Sequence, residues 1–384
     1  MNLAELMNEL AGDVGTQALP EPDEVRGVGD RLRRRQRNRL AAGAAALVVA
    51  AAATAVAVTG GGLRSAPEPV GPAEGWRVVR AVEVPGSGSA IVGDGSLWVV
   101  NMAAHRLTDD GSAPAGDLYQ LDPESGDIVA RIPEGVGGWP AVGGGAVWLM
   151  TAAGDLNVLS RVDLATHEVT RIKTTHPPTL PRGVAVVGNT LWVASLDTGE
   201  LIVMDTDTLD VLRRIQLGSP ASNQAPNSVV TDGTSVWVAD GDGVVSRFDA
   251  ATGRETSRLQ LPASGVRLTG IDPRGVLYAI ASDGRTLLTV TTGAAGAPDE
   301  YARTVHVGTG SDTVLAGVAF TDGATWLATS SPDQLLRMDP QSFEITGRTP
   351  LEGANHKSNV PVAIAATDDA VWVRVDGQVI EVAP

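Results

Sequence analysis

The sequence contains no cysteine, which excludes disulfides, thiolate nucleophiles and cysteine-ligated zinc or iron-sulfur sites. Only 4% of its residues are aromatic, whereas 45 glycines and 23 prolines indicate many short elements joined by tight turns. Basic residues are also scarce, because 29 lysines and arginines stand against 45 aspartates and glutamates. The resulting net charge of -16 argues against a surface that binds nucleic-acid phosphates, so no nucleic-acid partner is expected.

Familiar catalytic motifs are missing too, since the sequence contains no G-x-S-x-G, H-E-x-x-H, P-loop or G-x-G-x-x-G pattern. It has only 5 histidines, and neither His176 nor His356 has a partner at metal-ligand spacing, so no metal and no cofactor is predicted. In "ADGDG" at 239–243, Asp240 and Asp242 suit calcium, but the rest of a calcium-binding loop is missing. Asp-Gly pairs also suit tight hairpins, and this interpretation is favoured.

Charge is distributed unevenly near the N-terminus. Six arginines lie in "RLRRRQRNR" at 31–39, and the 19 residues of 41–59 carry no charge. As a helix, this apolar segment would be about 28 Å long, close to the thickness of a bilayer's hydrocarbon core. Because arginine clusters stay in the cytoplasm, the pattern predicts a single-pass protein of the cell membrane with a cytoplasmic N-terminus and an extracytoplasmic remainder. A cleaved signal peptide with "AVA" at 55–57 is the alternative, although its charged leader would be unusually long.

These features divide the sequence into four parts. Residues 1–39 form a cytoplasmic tail, 40–60 a transmembrane helix, 61–75 a linker rich in glycine and proline, and 76–384 a folded region. Within the tail, "NLAELMNELAG" at 2–12 has apolar residues at helical spacing and predicts a short amphipathic helix. This helix is either a marginal or membrane-surface segment or a docking site for a cytoplasmic partner.

A short apolar phrase with an aromatic residue recurs along the folded region, as in "SLWVVN" at 96, "TLWVAS" at 190 and "AVWVRV" at 370. The intervals between its aromatic residues range from 41 to 50 residues. These aromatic residues are Trp98, Trp148, Trp192, Trp237, Tyr278, Trp326 and Trp372. A period in this range indicates a repeat architecture, and the turn residues around each phrase indicate four strands per repeat. We expect the aromatic side chains to be buried between neighbouring repeats.

The last two strands of most repeats are separated by a turn that begins with aspartate, at Asp122, Asp163, Asp205, Asp249 and Asp339. Repeat five lacks this aspartate and has a longer turn. The final repeat ends one strand short, whereas residues 76–84 form a strand that belongs to no other repeat. Pairing this strand with residues 378–382 would complete the seventh repeat with strands from both ends of the sequence. The pattern therefore predicts an all-β, seven-bladed β-propeller, closed by its N- and C-terminal strands and preceded by a single transmembrane helix.

One repeat carries a resemblance to a known family. The unit "PRGVAVVGNTLWVASLDTGELIVMDTDTLDVLRRIQLG" at 181–218 is similar to the repeat of YVTN or surface-layer-type seven-bladed β-propellers, with "WVAS" in place of the name-giving tetrapeptide. The superfamily also contains binding proteins, quinone enzymes and virginiamycin B lyase, so the resemblance implies a fold and not one activity. No catalytic motif of that lyase matches this sequence.

Functional side chains in such a fold are expected where strand four connects to the next strand one and where strand two connects to strand three. The connections "TTHPPTLPRG", "GSPASNQAPNS" and "EGANHKSNVP" are longer and more polar than a turn requires, although solvated connectors have the same composition. Trp139 lies outside the regular aromatic pattern, at the start of an inner strand. The candidate ligand-binding residues are Trp139, His176, Arg182, Asn223, Asn227, Arg267, Asp312, His356 and Asn359.

Two hypotheses follow for the function. The first is a membrane-anchored extracytoplasmic module that binds or senses a protein or a small ligand, with a cytoplasmic partner for its tail. An anti-sigma role for the tail is one version, although the cysteine-containing zinc motif of many such domains is missing. The alternative is a propeller enzyme, a lyase or hydrolase with its active site at the channel mouth and His176 or His356 as the base. No catalytic residue is assigned.

Overall fold

The structure is a computed structural model that describes residues 75–86, 88–101, 116–133, 140–153, 156–173, 181–294, 297–307, 313–330, 333–351, 363–375 and 377–384. All the described residues lie in one compact unit, residues 68–384. The predicted tail, transmembrane helix and most of the linker lie outside the described residues, so their boundaries stay predictions. In the described part of the chain, no helix is long and apolar enough to span a bilayer.

The described residues form seven four-stranded antiparallel sheets, here called blades 1 to 7. In blades 1 to 6, four consecutive strands are neighbours in chain order. Blades 1 and 2 contain β2 (Ala90–Gly93), β3 (Ser96–Asn101), β4 (Asp117–Leu121), β5 (Ile128–Pro133), β6 (Ala141–Gly143), β7 (Ala146–Ala153), β8 (Leu156–Asp163) and β9 (Val169–Lys173). Blades 3 and 4 contain β10 (Pro181–Val187), β11 (Thr190–Ser195), β12 (Glu200–Asp205), β13 (Val211–Gln216), β14 (Pro226–Thr231), β15 (Ser235–Asp240), β16 (Val244–Asp249) and β17 (Glu255–Gln260). Blades 5 and 6 contain β18 (Arg267–Ile271), β19 (Val276–Ile280), β20 (Thr286–Thr291), β21 (Glu300–His306), β22 (Val314–Thr321), β23 (Ala324–Ser330), β24 (Gln334–Met338) and β25 (Ile345–Pro350).

Blade 7 combines both ends of the described chain. Its first three strands come from the C-terminal end, and its fourth strand comes from the N-terminal end. In order, these strands are β26 (Ala363–Ala366), β27 (Val371–Val375), β28 (Gln378–Ala383) and β1 (Arg77–Glu83). β1 pairs antiparallel with β28, from Arg77 opposite Ala383 to Glu83 opposite Gln378. The predicted closure by the terminal strands is confirmed.

The first strands of the blades, β2, β6, β10, β14, β18, β22 and β26, contact one another in a closed circle, in which β26 also contacts β2. Some of them approach each other closely. A Cβ at Gly183 in β10 would lie 3.0 Å from the backbone nitrogen of Val229 in β14. Glycine at this position therefore allows two first strands to lie side by side. The predicted ring of seven blades around a central channel is confirmed.

The aromatic residues of strand two are buried between blades, as predicted. Their six tryptophans and Tyr278 are at most 1% exposed. Each aromatic residue packs against the blade that follows it, as Trp192 of blade 3 does against Val236 of blade 4. Trp372 of blade 7 packs in the same way against Leu97 of blade 1. These contacts bury large apolar surfaces and make every blade depend on its neighbours.

The aspartate turns between strands three and four also form as predicted. In blade 3, Asp205 Oδ1 accepts hydrogen bonds from the backbone N–H groups of Asp207 at 2.9 Å and Thr208 at 2.8 Å. Leu209, two residues before β13, has a positive φ of 65°, which a tight chain reversal here requires. The side chain thus satisfies two backbone donors while the chain reverses direction.

Candidate functional site

Because the strands of each blade are antiparallel, the connections from strand two to three and from strand four to the next strand one lie at the same end of the ring. We call this end the loop face and the opposite end the turn face. The described parts of the loop face in blades 3 to 5 are residues 196–199, 217–225, 241–243, 261–266 and 281–285.

Four of the predicted ligand-binding residues are described, namely Arg182, Asn223, Asn227 and Arg267. The other five, Trp139, His176, Asp312, His356 and Asn359, lie outside the described residues. The alternative of an enzyme that uses His176 or His356 as a base is therefore untested and stays a prediction.

Asn223 is exposed on the loop face, in the connection between β13 and β14. Its carbonyl accepts a hydrogen bond from the N–H of Gly241 at 2.5 Å, which ties this connection to the next turn of blade 4. Gln216, at the end of β13, donates from Nε2 to the carbonyl of Thr198 at 3.0 Å, and Gln260 makes the same kind of contact in blade 4. The loop face of blades 3 to 5 is thus braced by hydrogen bonds to backbone carbonyls.

Arg182 and Asn227 occupy equivalent positions on β10 and β14, where the pairing with strand two skips each of them, and Arg267 begins the next first strand, β18, where it pairs with Ile280. Each lies three residues before the residue that pairs with the aromatic of strand two. Those pairs are Ala185 with Trp192, Val230 with Trp237, and Gly270 with Tyr278. Since each first strand contacts the next and runs from the loop face to the turn face, the three residues lie near the loop-face ends of neighbouring first strands, which form one wall of the channel.

Hydrogen bonds fix the orientation of the asparagine in this wall. The backbone N–H of Leu268 donates to Ser228 Oγ at 3.0 Å, which joins β18 to β14. The Ser228 hydroxyl in turn donates to Asn227 Oδ1 at 2.9 Å. Because its oxygen is the acceptor of this bond, Asn227 keeps its amide N–H groups as donors.

Arg267 extends the same wall toward blade 6. Its guanidinium is half-buried, and Nη2 donates to the carbonyl of Ala316 in β22 at 3.2 Å. Burial lowers the pKa of Arg267 from its usual value, because desolvation disfavours the charged form. Among the residues that the structure describes, no carboxylate forms an ion pair with Arg267. Arg182, in contrast, is exposed.

The candidate calcium segment forms a hairpin. Asp240 Oδ1 accepts a hydrogen bond from the backbone N–H of Val244 at 2.9 Å, in the turn between β15 and β16. Burial raises the pKa of Asp240. Within the described ranges, no three histidine, aspartate or glutamate side chains lie together as metal ligands would.

Sequence reasoning missed a buried polar cluster between blades 4 and 5. Asp299, before β21, accepts a hydrogen bond from Trp237 Nε1 at 2.9 Å and lies 3.3 Å from Arg247 Nη1. The Arg247 guanidinium also lies over the Trp237 ring, 4.9 Å from its centroid. The signal in the sequence was the longer turn of repeat five, which replaces the aspartate turn with one that reaches back to blade 4. This cluster lies at the turn face and holds two blades together.

A groove of about 490 Å³ lies at the turn face between blades 1 and 2. The glycine turn 143–145 forms one side, and Asp94, Arg161 and Asp163 contribute its charged groups. Arg161 Nη2 lies 3.4 Å from Asp163 Oδ2, so the groove's arginine is already paired. None of the four candidate binding residues that the structure describes lines this groove.

Comparison with known proteins agrees with this architecture. No family model and no curated protein matches the chain. The β-propeller domain of Cps50 (Swd1) from Myceliophteria thermophila superposes with a TM-score of 0.62, covering 80% of this chain and 99% of that domain. This chain folds as a seven-bladed β-propeller. At 11% sequence identity the likeness shows the fold alone, and the narrower resemblance of this propeller to the YVTN type rests on its repeat sequence.

Proposed function

We propose that this chain is a single-pass membrane protein whose extracytoplasmic propeller binds a protein or a small ligand through its loop face. The observation that carries the binding role is the braced, polar loop face of blades 3 to 5, together with the row of Arg182, Asn227 and Arg267 beside it. Polar groups held by a rigid scaffold are typical of binding surfaces, because little conformational entropy is lost when a ligand docks.

The membrane anchor in this proposal is supported by the sequence, through the six arginines at 31–39 and the 19 uncharged residues of 41–59. β1 is a fourth strand, so it begins at the turn face, and the chain enters the propeller there. A sensor role, in which the tail of residues 1–39 contacts a cytoplasmic partner, is the further part of this proposal.

The anchor is tested by fractionating cells that express the full chain. We expect the protein to stay in the membrane pellet after an alkaline carbonate wash, and protease added outside intact spheroplasts to remove the propeller but spare the tail. In the control, Val48→Arg with Val49→Arg places two charges in the apolar segment and should release the protein from the pellet. Recovery of the unchanged chain in the soluble fraction would contradict the anchor.

Binding through the loop face is tested by photocrosslinking in cells. A benzophenone amino acid is placed at Asn223 or Ser264 on the loop face, or at Asp207 or Asp322 on the turn face, and all four positions are exposed. We expect a discrete crosslinked product from the loop-face positions only. Equal labelling from both faces, or none from either, would contradict the proposed binding face.

A further inference from the structure

We infer that the loop-face end of the channel binds a carboxylate group of the ligand, held by Arg267 with Arg182 and Asn227 as neighbouring donors. This inference rests on the proposed binding function and names the chemistry that the ligand must present. We call these three residues the channel wall.

Arg267 has donor capacity that the described residues leave open. A guanidinium carries five N–H donors in a planar fork, and within the described ranges Arg267 gives one hydrogen bond, to the carbonyl of Ala316. The group is half-buried, so the remaining donors have lost part of their water without gaining an ionic partner in the described part of the chain. A desolvated cation is costly unless it is paired, which makes an anionic ligand at this position favourable.

Other, more exposed arginines of this propeller are paired with carboxylates. Arg131, Arg214 and Arg258 on outer strands each lie within 3.0 Å of a carboxylate oxygen, although their side chains are 42 to 61% exposed. With 45 acidic residues in the sequence, carboxylates are abundant. Arg267 therefore differs from them in being more buried and in having only a neutral carbonyl as its described partner.

The other two residues of the channel wall, like Arg267, present hydrogen-bond donors. The Ser228 hydroxyl bonds the oxygen of Asn227, so the amide of Asn227 presents donors. Arg182, near the loop-face end of the neighbouring first strand β10, is exposed and adds a second positive charge. Three adjacent blades thus present two guanidinium groups and one amide NH₂, a set that complements the two oxygens of a carboxylate.

The wall is also held in place before any ligand arrives. The Leu268 N–H bond to Ser228 Oγ joins β18 to β14, and the Arg267 bond to the Ala316 carbonyl joins β18 to β22. At Gly183 the backbone of β10 approaches β14 so closely that a Cβ would lie 3.0 Å from the backbone nitrogen of Val229. Such preorganisation lowers the entropic cost of binding.

A carboxylate fits better than a phosphate for two reasons. The planar fork of arginine matches the planar carboxylate, and the wall offers no lysine as a compact point charge. The carboxylate comes either from an acidic peptide or from a small organic acid, and the test has one arm for each source.

The test measures binding to the full chain in detergent micelles, at about 150 mM salt so that the overall negative charge is screened. The probes are fluorescein-labelled hexaglutamate, citrate and inorganic phosphate. We expect hexaglutamate or citrate to bind, and Arg267→Gln and Arg182→Gln each to weaken binding at least tenfold. Arg267→Lys, which keeps the charge but loses the fork, should restore only part of the affinity.

Arg258→Gln is the matched control, because it removes the same charge from an exposed outer strand and should leave binding unchanged. Thermal unfolding of each variant shows whether the propeller is intact. The inference would be overturned if phosphate bound as strongly as the carboxylate probes, or if Arg267→Gln left the affinity for those probes unchanged. Probe binding that appears only after Asp312→Asn would place the carboxylate within the chain itself and would also overturn it. If no probe binds while the benzophenone at position 223 still crosslinks a partner, the inferred carboxylate ligand is wrong and the proposed binding function stands.

Discussion

At the scale of single residues, Asp205 shows how one carboxylate both shapes a turn and makes stability depend on pH. The backbone N–H groups of Thr208 and Asp207 hold the pKa of Asp205 below its usual value, since they bond the charged form. The equivalent aspartates in the other turns behave in the same way, and their pKa values are also lowered. They are Asp122, Asp163, Asp249 and Asp339.

The first prediction concerns this aspartate. A carboxyl whose pKa is lower in the folded state stabilises the fold above its unfolded pKa of about 3.9, and this contribution is lost as pH falls through the folded pKa. Asp205→Asn keeps an acceptor oxygen but loses the charge, so it should lower stability at pH 7 and converge with the parent protein at acidic pH. Urea unfolding at several pH values measures this, with Asp210→Asn as a control in the same turn. A deficit independent of pH would contradict the linkage.

The second prediction concerns the aromatic residue between two blades. Trp192 is 0% exposed, and its ring centroid lies 6.4 Å from that of Phe248 in blade 4. Trp192→Ala should leave a cavity and lower the free energy of unfolding by about 3–5 kcal/mol. Trp76→Ala is the comparison, because Trp76 is only half-buried and should cost less. Denaturant unfolding measures both, and equal losses would show that the extent of burial does not set the cost.

At the scale of elements, the interface between blades 4 and 5 relies on a buried ion pair. The side chains of Arg247 and Asp299 are 9% and 3% exposed, and Asp299 also accepts the Trp237 indole N–H. The backbone N–H of Asp299 donates to Ser257 Oγ at 3.0 Å. The longer turn of blade 5 is thus anchored to three strands of blade 4.

The third prediction is a double-mutant cycle on this pair. Asp299→Ala leaves the Arg247 cation buried without its carboxylate and should cost about 3–5 kcal/mol. Arg247→Met combined with Asp299→Ala should cost less than the sum of the two single changes, because neither charge remains buried alone. Denaturant unfolding of the four proteins gives the coupling free energy. Simple additivity would mean that the two side chains do not stabilise each other.

The elements that the sequence predicts well are those that depend on local pattern. The phrase around Trp192 and the turn at Asp205 contain their own strand and turn signals, so both could be predicted without knowledge of the neighbouring blades. The contact between Arg247 and Asp299 joins residues 52 positions apart on different blades, and no local pattern reports it. The candidate site has the same limit. Arg267 could be selected as a polar residue at a channel connection, but its bond to Ala316 depends on how two blades meet.

At the scale of the whole molecule, closure depends on residues from opposite ends of the sequence. Arg374 in β27 is 1% exposed, and its Nη1 donates to the carbonyl of Val84, just after β1, at 2.8 Å. Its Nη2 donates to the carbonyl of Pro85 at 3.2 Å. A buried guanidinium thus adds side-chain hydrogen bonds to the pairing of β1 with β28. Because each blade packs its aromatic residue against the next, opening this one junction would expose the core on both sides of it.

The fourth prediction uses the absence of cysteine to lock that junction. The N–H of Val84 donates to the carbonyl of Gly377, which makes Glu83 and Gln378 a non-hydrogen-bonded pair with Cα atoms about 4.5 Å apart. This separation suits a disulfide, so Glu83→Cys with Gln378→Cys should oxidise without distorting β1 or β28. The bond closes nearly the whole propeller into one loop and should stabilise it by about 2–5 kcal/mol, measured as the shift in denaturant midpoint. The reduced form of the same variant is the control, because it carries both substitutions without the constraint. Failure of the two cysteines to join would contradict the pairing of Glu83 with Gln378, and equal stability of the oxidised and reduced forms would mean that joining the chain ends does not stabilise the propeller.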